Sequence, residues 1–156
     1  MGKIGSTKET LILEHFLPYR LSVVTNRISG ALSRHYAARF GISIPEWRVI
    51  ANLGRHPDLT ANEVAERSAM DKVTVSRAVA ALEEKGLLDR VRDAGDKRKS
   101  RLSLSAKGLQ VYGEIAPLAL GFERDLLTAL TPDEVAQLNR IIDKLTKRMN
   151  EMPESS

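Results

Sequence analysis

Two clusters of side chains in this chain could hold a polyanion. The first, Lys72-Val73-Thr74-Val75-Ser76-Arg77, gathers hydroxyl and cationic groups at the start of one segment. Ser and Thr hydroxyls can bond base edges or phosphates. An Arg can make a bidentate contact to guanine, worth roughly 1–3 kcal/mol of discrimination. Each residue also has a plainer use: Thr74 can complete an N-cap with Asp71, Ser76 can be a small exposed residue, and Arg77 can pair with Glu84 or Asp71. The second cluster is Arg90, Arg92, Lys97, Arg98, Lys99 and Arg101, opposed locally only by Asp93 and Asp96. Arg98 is the candidate to enter a minor groove, which attracts Arg when narrow. Asp96, two residues earlier, can hold it extended. The alternative is an ordinary solvated charged turn.

The segments around these clusters must position them. Pro18 suits a first helical turn, and Leu21, Val24, Ile28, Leu32 and Tyr36 form one face of a long helix ending near Gly41. Ser43-Ile44-Pro45-Glu46 reads as a capping box opening a short second helix with Trp47, Ile50, Ala51 and Leu53. After a turn at His56-Pro57-Asp58, a second box, Thr60 to Glu63, opens a third helix whose inward positions are Val64, Ala65 and Ala69. Asp71 caps a fourth, through which Val73, Val75, Val79, Ala80, Leu82 and Glu83 run. Val75, Val79 and Leu82 are its core face, and Lys85-Gly86 closes it. The period then changes to alternation through Leu88–Arg92 and again through Arg101–Leu104, which predicts a β-hairpin around a Gly-containing turn. Ser105 caps a fifth helix carrying Leu109, Tyr112, Ile115, Leu118, Phe122 and Leu126. Thr131-Pro132-Asp133-Glu134 starts a sixth, with Val135, Leu138, Ile142, Leu145 and Met149 as its stripe.

Short helices followed by a hairpin make a winged helix-turn-helix, mainly α with a small β-hairpin wing. The major groove, about 12 Å wide, admits one α-helix. The helix from Lys72 is the candidate reader, and its N-terminus also favours a phosphate.

Composition bounds the rest. The chain has 156 residues, 42% hydrophobic, 28% charged and only 4% aromatic, which suits one globular domain with an aliphatic core. The net charge of +4 permits an acidic partner without proving one. There is no cysteine, so disulfides, thiolate chemistry and Cys-based zinc sites are excluded. His15, His35 and His56 are isolated, so no metal site is expected. No catalytic residues and no cofactor are expected either, since no P-loop, nucleotide fingerprint, nucleophile elbow or HExxH motif occurs. No apolar run reaches the roughly 20 residues of a membrane span. The start, Met1-Gly2-Lys3-Ile4-Gly5-Ser6, fits a loose myristoylation pattern but reads better as a polar tail.

The chain resembles the MarR family of bacterial transcriptional regulators. The resemblance runs through Pro45-Glu46-Trp47-Arg48-Val49-Ile50, Asp71 to Arg77, Leu82-Glu83-Glu84-Lys85-Gly86-Leu87-Leu88, Asp96-Lys97-Arg98 and Leu104-Ser105-Ala106-Lys107-Gly108. With the flanking long helices it covers nearly the whole chain. It implies a single domain over residues 1–156, with dimerisation helices at 11–40 and 106–150 and a DNA-binding lobe at 43–104. It implies a homodimer on a double-stranded, near-palindromic operator, in the bacterial cytoplasm and on the nucleoid when bound. Arg98 would be the wing arginine and Asp96 its orienting partner, with Lys72, Thr74, Ser76, Arg77, Lys97 and Lys99 completing the DNA-binding set. The family commonly takes a small aromatic or phenolic acid in a crevice beside the dimer helices. Here that crevice could draw on Tyr19, Arg20, Ser22, Asn26, Arg27 and Trp47, which could equally be interface polar groups or a solvated face. The resulting expectation is a repressor released by such a ligand or its coenzyme A thioester. The alternative is a ligand-independent accessory or architectural DNA-binding protein.

Overall fold

A computed structural model describes residues 9–92, 95 and 99–154. Within them the chain forms seven α-helices and a small antiparallel sheet. After a single 3-10 turn at Leu13–His15 come α1 (Leu17–Ser33), α2 (Ala37–Phe40), α3 (Ile44–Arg55), β1 (Leu59–Thr60), α4 (Ala61–Ser68) and α5 (Lys72–Glu84). Then follow β2 (Leu88–Val91), β3 (Arg101–Leu104), α6 (Ala106–Leu127) and α7 (Pro132–Glu151). The chain divides into two compact units, Met1–Ile115 and Ala116–Ser156. Pro117 sits inside α6, where it removes one backbone donor from the helical ladder. Among the described residues no helix is long and apolar enough to cross a membrane.

The expected long first helix is two helices. A turn at residues 34–36 separates α1 from α2, and Tyr36 drops into the core at 1% exposure. Burial holds its phenol above the ordinary tyrosine range, against the opposing pull of the nearby Arg48 cation. Ser33 Oγ donates to the Gly30 carbonyl at 2.7 Å, a bond within the last turn of α1. The short α2 then ends on Gly41, whose φ of 63° is the left-handed conformation that glycine adopts without strain.

The core of the first unit is one cluster. It joins Tyr36, Ile42, Val49, Ile50 and Leu53 to Val64, Val75, Val79 and Leu82, and to Leu87, Leu88, Leu102 and Ile115. The inward positions expected for α5 are buried, with Val75 and Val79 at 1% and Leu82 at 0%, and Ala78 joins them. Val73 lies on the opposite face at 59% exposure, and Ala80 is exposed with it. Ala69 is also outside the core. It ends α4 in the left-handed conformation at φ 51°.

Four helix starts, at Thr60, Asp71, Ser105 and Thr131, are capped as their sequences predict. Thr60–Glu63 and Thr131–Glu134 are complete capping boxes, and Gly108 N donates to Ser105 Oγ at 3.0 Å. The box expected at Ser43 is half formed. Ser43 Oγ accepts from Glu46 N at 3.3 Å, but the Glu46 carboxylate takes Lys85 Nζ at 2.5 Å instead of returning to the Ser43 backbone. A nearly buried carboxylate gains more from a cation than from a neutral amide.

The sheet has a strand that the alternation does not reveal. β1 pairs antiparallel with β3 through Leu59↔Leu102 and Thr60↔Arg101, giving the order β1-β3-β2. β2 pairs with β3 through Leu88↔Leu104 to Val91↔Arg101. Two residues are too few to show a period, so β1 is settled by its partner.

α6 starts hard against the end of α5. Ser105 N donates to the Leu87 carbonyl at 3.1 Å, and Ser105 Oγ donates to the Gly86 carbonyl at 2.6 Å. A Cβ at Gly108 would lie 2.0 Å from that same Leu87 oxygen, so only glycine permits this approach. Gly108→Ala is expected to destabilise the protein by about 1–3 kcal/mol, the usual cost of overpacking. Chemical denaturation checks this, and an unchanged midpoint would mean that α6 shifts away freely.

Candidate nucleic-acid interface

α5 has two faces because its sequence alternates burial at helical spacing. Val75, Ala78, Val79 and Leu82 lie inward, while Lys72, Val73, Ser76, Arg77 and Ala80 face solvent together. Positions three and four residues apart are neighbours on a helix, so Lys72 with Ser76, Val73 with Ser76 and Arg77, and both of these with Ala80 link the five side chains into one surface. Arg77 and Lys72 make no ion pair among the described residues, so neither of the partners considered for Arg77, Glu84 and Asp71, holds it. Arg77 stays available to an external acceptor.

Thr74 behaves differently. Asp71 caps α5 by accepting from Thr74 N at 2.8 Å, and Thr74 Oγ1 donates to the other carboxylate oxygen at 2.6 Å. The Thr74 proton is therefore committed to the cap, and its hydroxyl keeps only acceptor capacity. These bonds, first from the Thr74 side chain and then from its backbone, hold the Asp71 carboxyl below the usual range. The same cap carboxylate sits at the helix N-terminus that was expected to favour a phosphate.

Val73, which is not among the expected core positions Val75, Val79 and Leu82, is exposed on this face. An apolar side chain on this face offers a contact for a thymine methyl group.

The hairpin's positive charge is partly spent inside the protein. Arg90 Nε lies 2.5 Å from Glu83 Oε1 on α5. Arg101 Nε lies 3.0 Å from Asp58 Oδ1 and its Nη2 donates to the Asp58 carbonyl at 2.7 Å. These pairs brace the sheet against α5 and against the turn before β1. Arg92 and Lys99 are exposed. Asp96, Lys97 and Arg98 lie outside the described residues, so the expected Asp96–Arg98 pairing has no geometry here.

The candidate effector residues are only loosely grouped. Tyr19, Arg20, Ser22, Asn26 and Arg27 are all exposed on α1. Trp47 is half-buried in an aromatic stack, with ring centroids 5.7 Å from Tyr36 and 6.3 Å from Tyr112. A Cβ at Gly54 would strike the Tyr112 ring at 2.5 Å, so this stack is closely packed against α3. Trp47 thus has a structural job whether or not a ligand touches it. No group of three or more His, Asp or Glu able to hold a metal occurs among the described residues.

The Asp71 cap has a pH signature. A carboxylate whose folded pKa is lowered stabilises the fold above its unfolded pKa, and that contribution is lost as pH falls through the folded value. The wild type should therefore lose stability relative to Asp71→Asn as pH drops below about 4. Urea titrations at pH 6 and pH 3 check this. An equal difference at both pH values would show that the carboxylate charge contributes nothing.

Comparison with known proteins agrees with this architecture. The MarR family model matches residues 40–99. A MarR/EmrR family transcriptional regulator from Acinetobacter sp. ADP1 is 27% identical, with 91% of this chain and 100% of that one aligned at a TM-score of 0.82. A MarR family regulator from Silicibacter pomeroyi is 28% identical, covering 90% of this chain and 93% of that one at a TM-score of 0.76. The PcaV transcriptional regulator of Streptomyces coelicolor, solved in complex with its natural ligand, is 25% identical, covering 89% and 97% at a TM-score of 0.75. The family match spans the helix-turn-helix and most of the wing, the structural likeness spans nearly the whole chain, and the chain has the fold of MarR family transcriptional regulators.

Proposed function

We propose that this protein is a dimeric, sequence-specific DNA-binding regulator that reads its operator with α5. The observation that carries this reading is the exposed surface of Lys72, Val73, Ser76 and Arg77 on the second helix of a helix-turn-helix, with Arg77 unpaired among the described residues. In this reading Arg77 and Ser76 contact base edges, Val73 meets a thymine methyl, and Lys72 contacts a phosphate. Thr74 serves as an acceptor and, through Asp71, sets the start of the helix. Lys97, Arg98 and Lys99 contact the flanking backbone or minor groove, with Asp96 orienting Arg98.

Dimerisation is supported by apolar side chains that a single chain leaves exposed. On α7 these are Leu138, Ile141, Ile142, Leu145 and Met149, at 40–65% exposure. Near the N-terminus Leu11, Ile12, Phe16, Leu17, Leu21 and Val24 are also exposed. Exposed apolar stripes of this kind mark interfaces. Two copies would place their α5 helices in half-sites about 34 Å apart on a near-palindromic operator.

The ligand-responsive part of the reading is a repressor that a small aromatic or phenolic acid, or its coenzyme A thioester, releases from DNA. The likeness to a regulator crystallised with its natural ligand supports it. Tyr19, Arg20, Ser22, Asn26, Arg27 and Trp47 are the side chains offered to such a ligand. Release requires only that the ligand prefer the conformation that fits DNA less well. The setting is the bacterial cytoplasm, with the protein on the nucleoid when bound.

Binding titrations against an operator and its scrambled counterpart test the docking. Arg77→Ala should narrow the affinity gap between the two by about 1–3 kcal/mol. Arg98→Ala should weaken both about equally. Affinity should also fall steeply with salt, since phosphate contacts release counterions. Unchanged affinity in both variants, or a flat salt dependence, would sink the reading.

A further inference from the structure

Within the first unit, the end of α2, the end of α5 and the start of α6 enclose an open recess of about 420 Å³. Its charged lining is Arg39, Lys85 and Lys107, and its apolar lining is Phe40, Leu87 and Val111. The volume lies within the roughly 300–1,000 Å³ range of small-molecule sites. None of the α1 residues nominated for the effector crevice lines it, nor does Trp47.

The charges around it do not balance. Arg39 Nη2 pairs with Glu114 Oε2 at 2.7 Å, and Lys85 Nζ pairs with Glu46 Oε2 at 2.5 Å. Lys107 has no carboxylate partner among the described residues. Among the described residues its Nζ meets the Lys85 carbonyl, at 3.5 Å. The recess therefore holds one more cation than carboxylate. Lys107 also stands in the first turn of α6, where the helix dipole adds partial positive charge. The Arg39 guanidinium lies over the Phe40 ring at 4.8 Å, which keeps a planar donor group at the edge of an apolar wall.

We propose that this recess binds a small amphipathic carboxylate, a one- or two-ring organic acid, at a site separate from the α1 crevice. The carboxylate completes the charge on Lys107, with Arg39 or Lys85 as second donor, and the ring covers Phe40, Leu87 and Val111. An inorganic anion would leave that apolar surface wet. The bound acid competes with Glu46 for Lys85, which also donates to the Gly41 carbonyl at 2.7 Å. Occupancy therefore acts where α5 ends and α6 begins. The binding site itself does not depend on the DNA-reading proposal.

The test is calorimetric titration of the full chain, without DNA, using 2-naphthoate, 2-naphthol and inorganic phosphate. Amide resonances of Gly41, Leu87 and Lys107 locate the binding. We expect 2-naphthoate to bind and shift these three amides, with 2-naphthol and phosphate much weaker. Lys107→Gln should weaken 2-naphthoate about tenfold, the loss of one charge-assisted contact. Lys107→Arg should largely retain the affinity, and Arg27→Gln should leave the shifts of these amides intact. The proposal is overturned if 2-naphthoate leaves the three amides unmoved, if phosphate binds as tightly, or if affinity follows Arg27→Gln and ignores Lys107→Gln. In the last case the ligand occupies the α1 crevice, and the effector reading survives without this site.

Discussion

Burial of one face of α5 is the constraint from which the rest of the first unit follows. Val75, Ala78, Val79 and Leu82 pack into a cluster supplied by α3, α4 and the sheet. Fully burying the Val and Leu side chains is worth about 1.5–3 kcal/mol each, so the helix has one stable rotation about its own axis. The face carrying Lys72, Ser76 and Arg77 is presented to solvent because the other cannot be. The orientation of the polar surface is thus set by apolar packing.

Both ends of this helix are held by polar contacts of different kinds. At the start, Asp71 and Thr74 close a local cap, a contact between residues three apart. At the end, Lys85 reaches Glu46 and the Gly41 carbonyl, while Gly86 accepts from Ser105. Those partners are 39, 44 and 19 residues away in the chain. The N-terminal end is therefore set locally, whereas the C-terminal end is tied to α3, to the end of α2 and to α6. A displacement of α6 near Gly108 has a direct route to the end of α5 through Leu87 and Ser105.

The hairpin shows how misleading a count of charges can be. Its basic residues read as one electropositive cluster, yet Arg90 and Arg101 are engaged by Glu83 and Asp58. Such partly exposed pairs contribute little stability individually, but they fix strands to neighbouring elements. The excess charge available to a polyanion is narrower than composition suggests, and among the described residues it rests on Arg92 and Lys99.

Local chemistry was legible in the sequence. The caps at Thr60, Asp71, Ser105 and Thr131, the core positions Val75, Val79 and Leu82, and the change of period at Leu88 all depend on residues within a turn or two of one another. Side-chain spacing records such relations directly. Contacts between distant segments left no comparable trace. The break that sends Tyr36 into the core, the strand at Leu59–Thr60 and the diversion of Glu46 to Lys85 each depend on a partner that only folding brings near. Val73 lies between the two cases, because its apolar type pointed inward while its spacing pointed out, and spacing prevailed. The sequence alone determined which segment presents an exposed polar face, since periodicity and caps are local. The tertiary structure decided which groups on that face are uncommitted, because ion pairs and caps consume some of them across the fold.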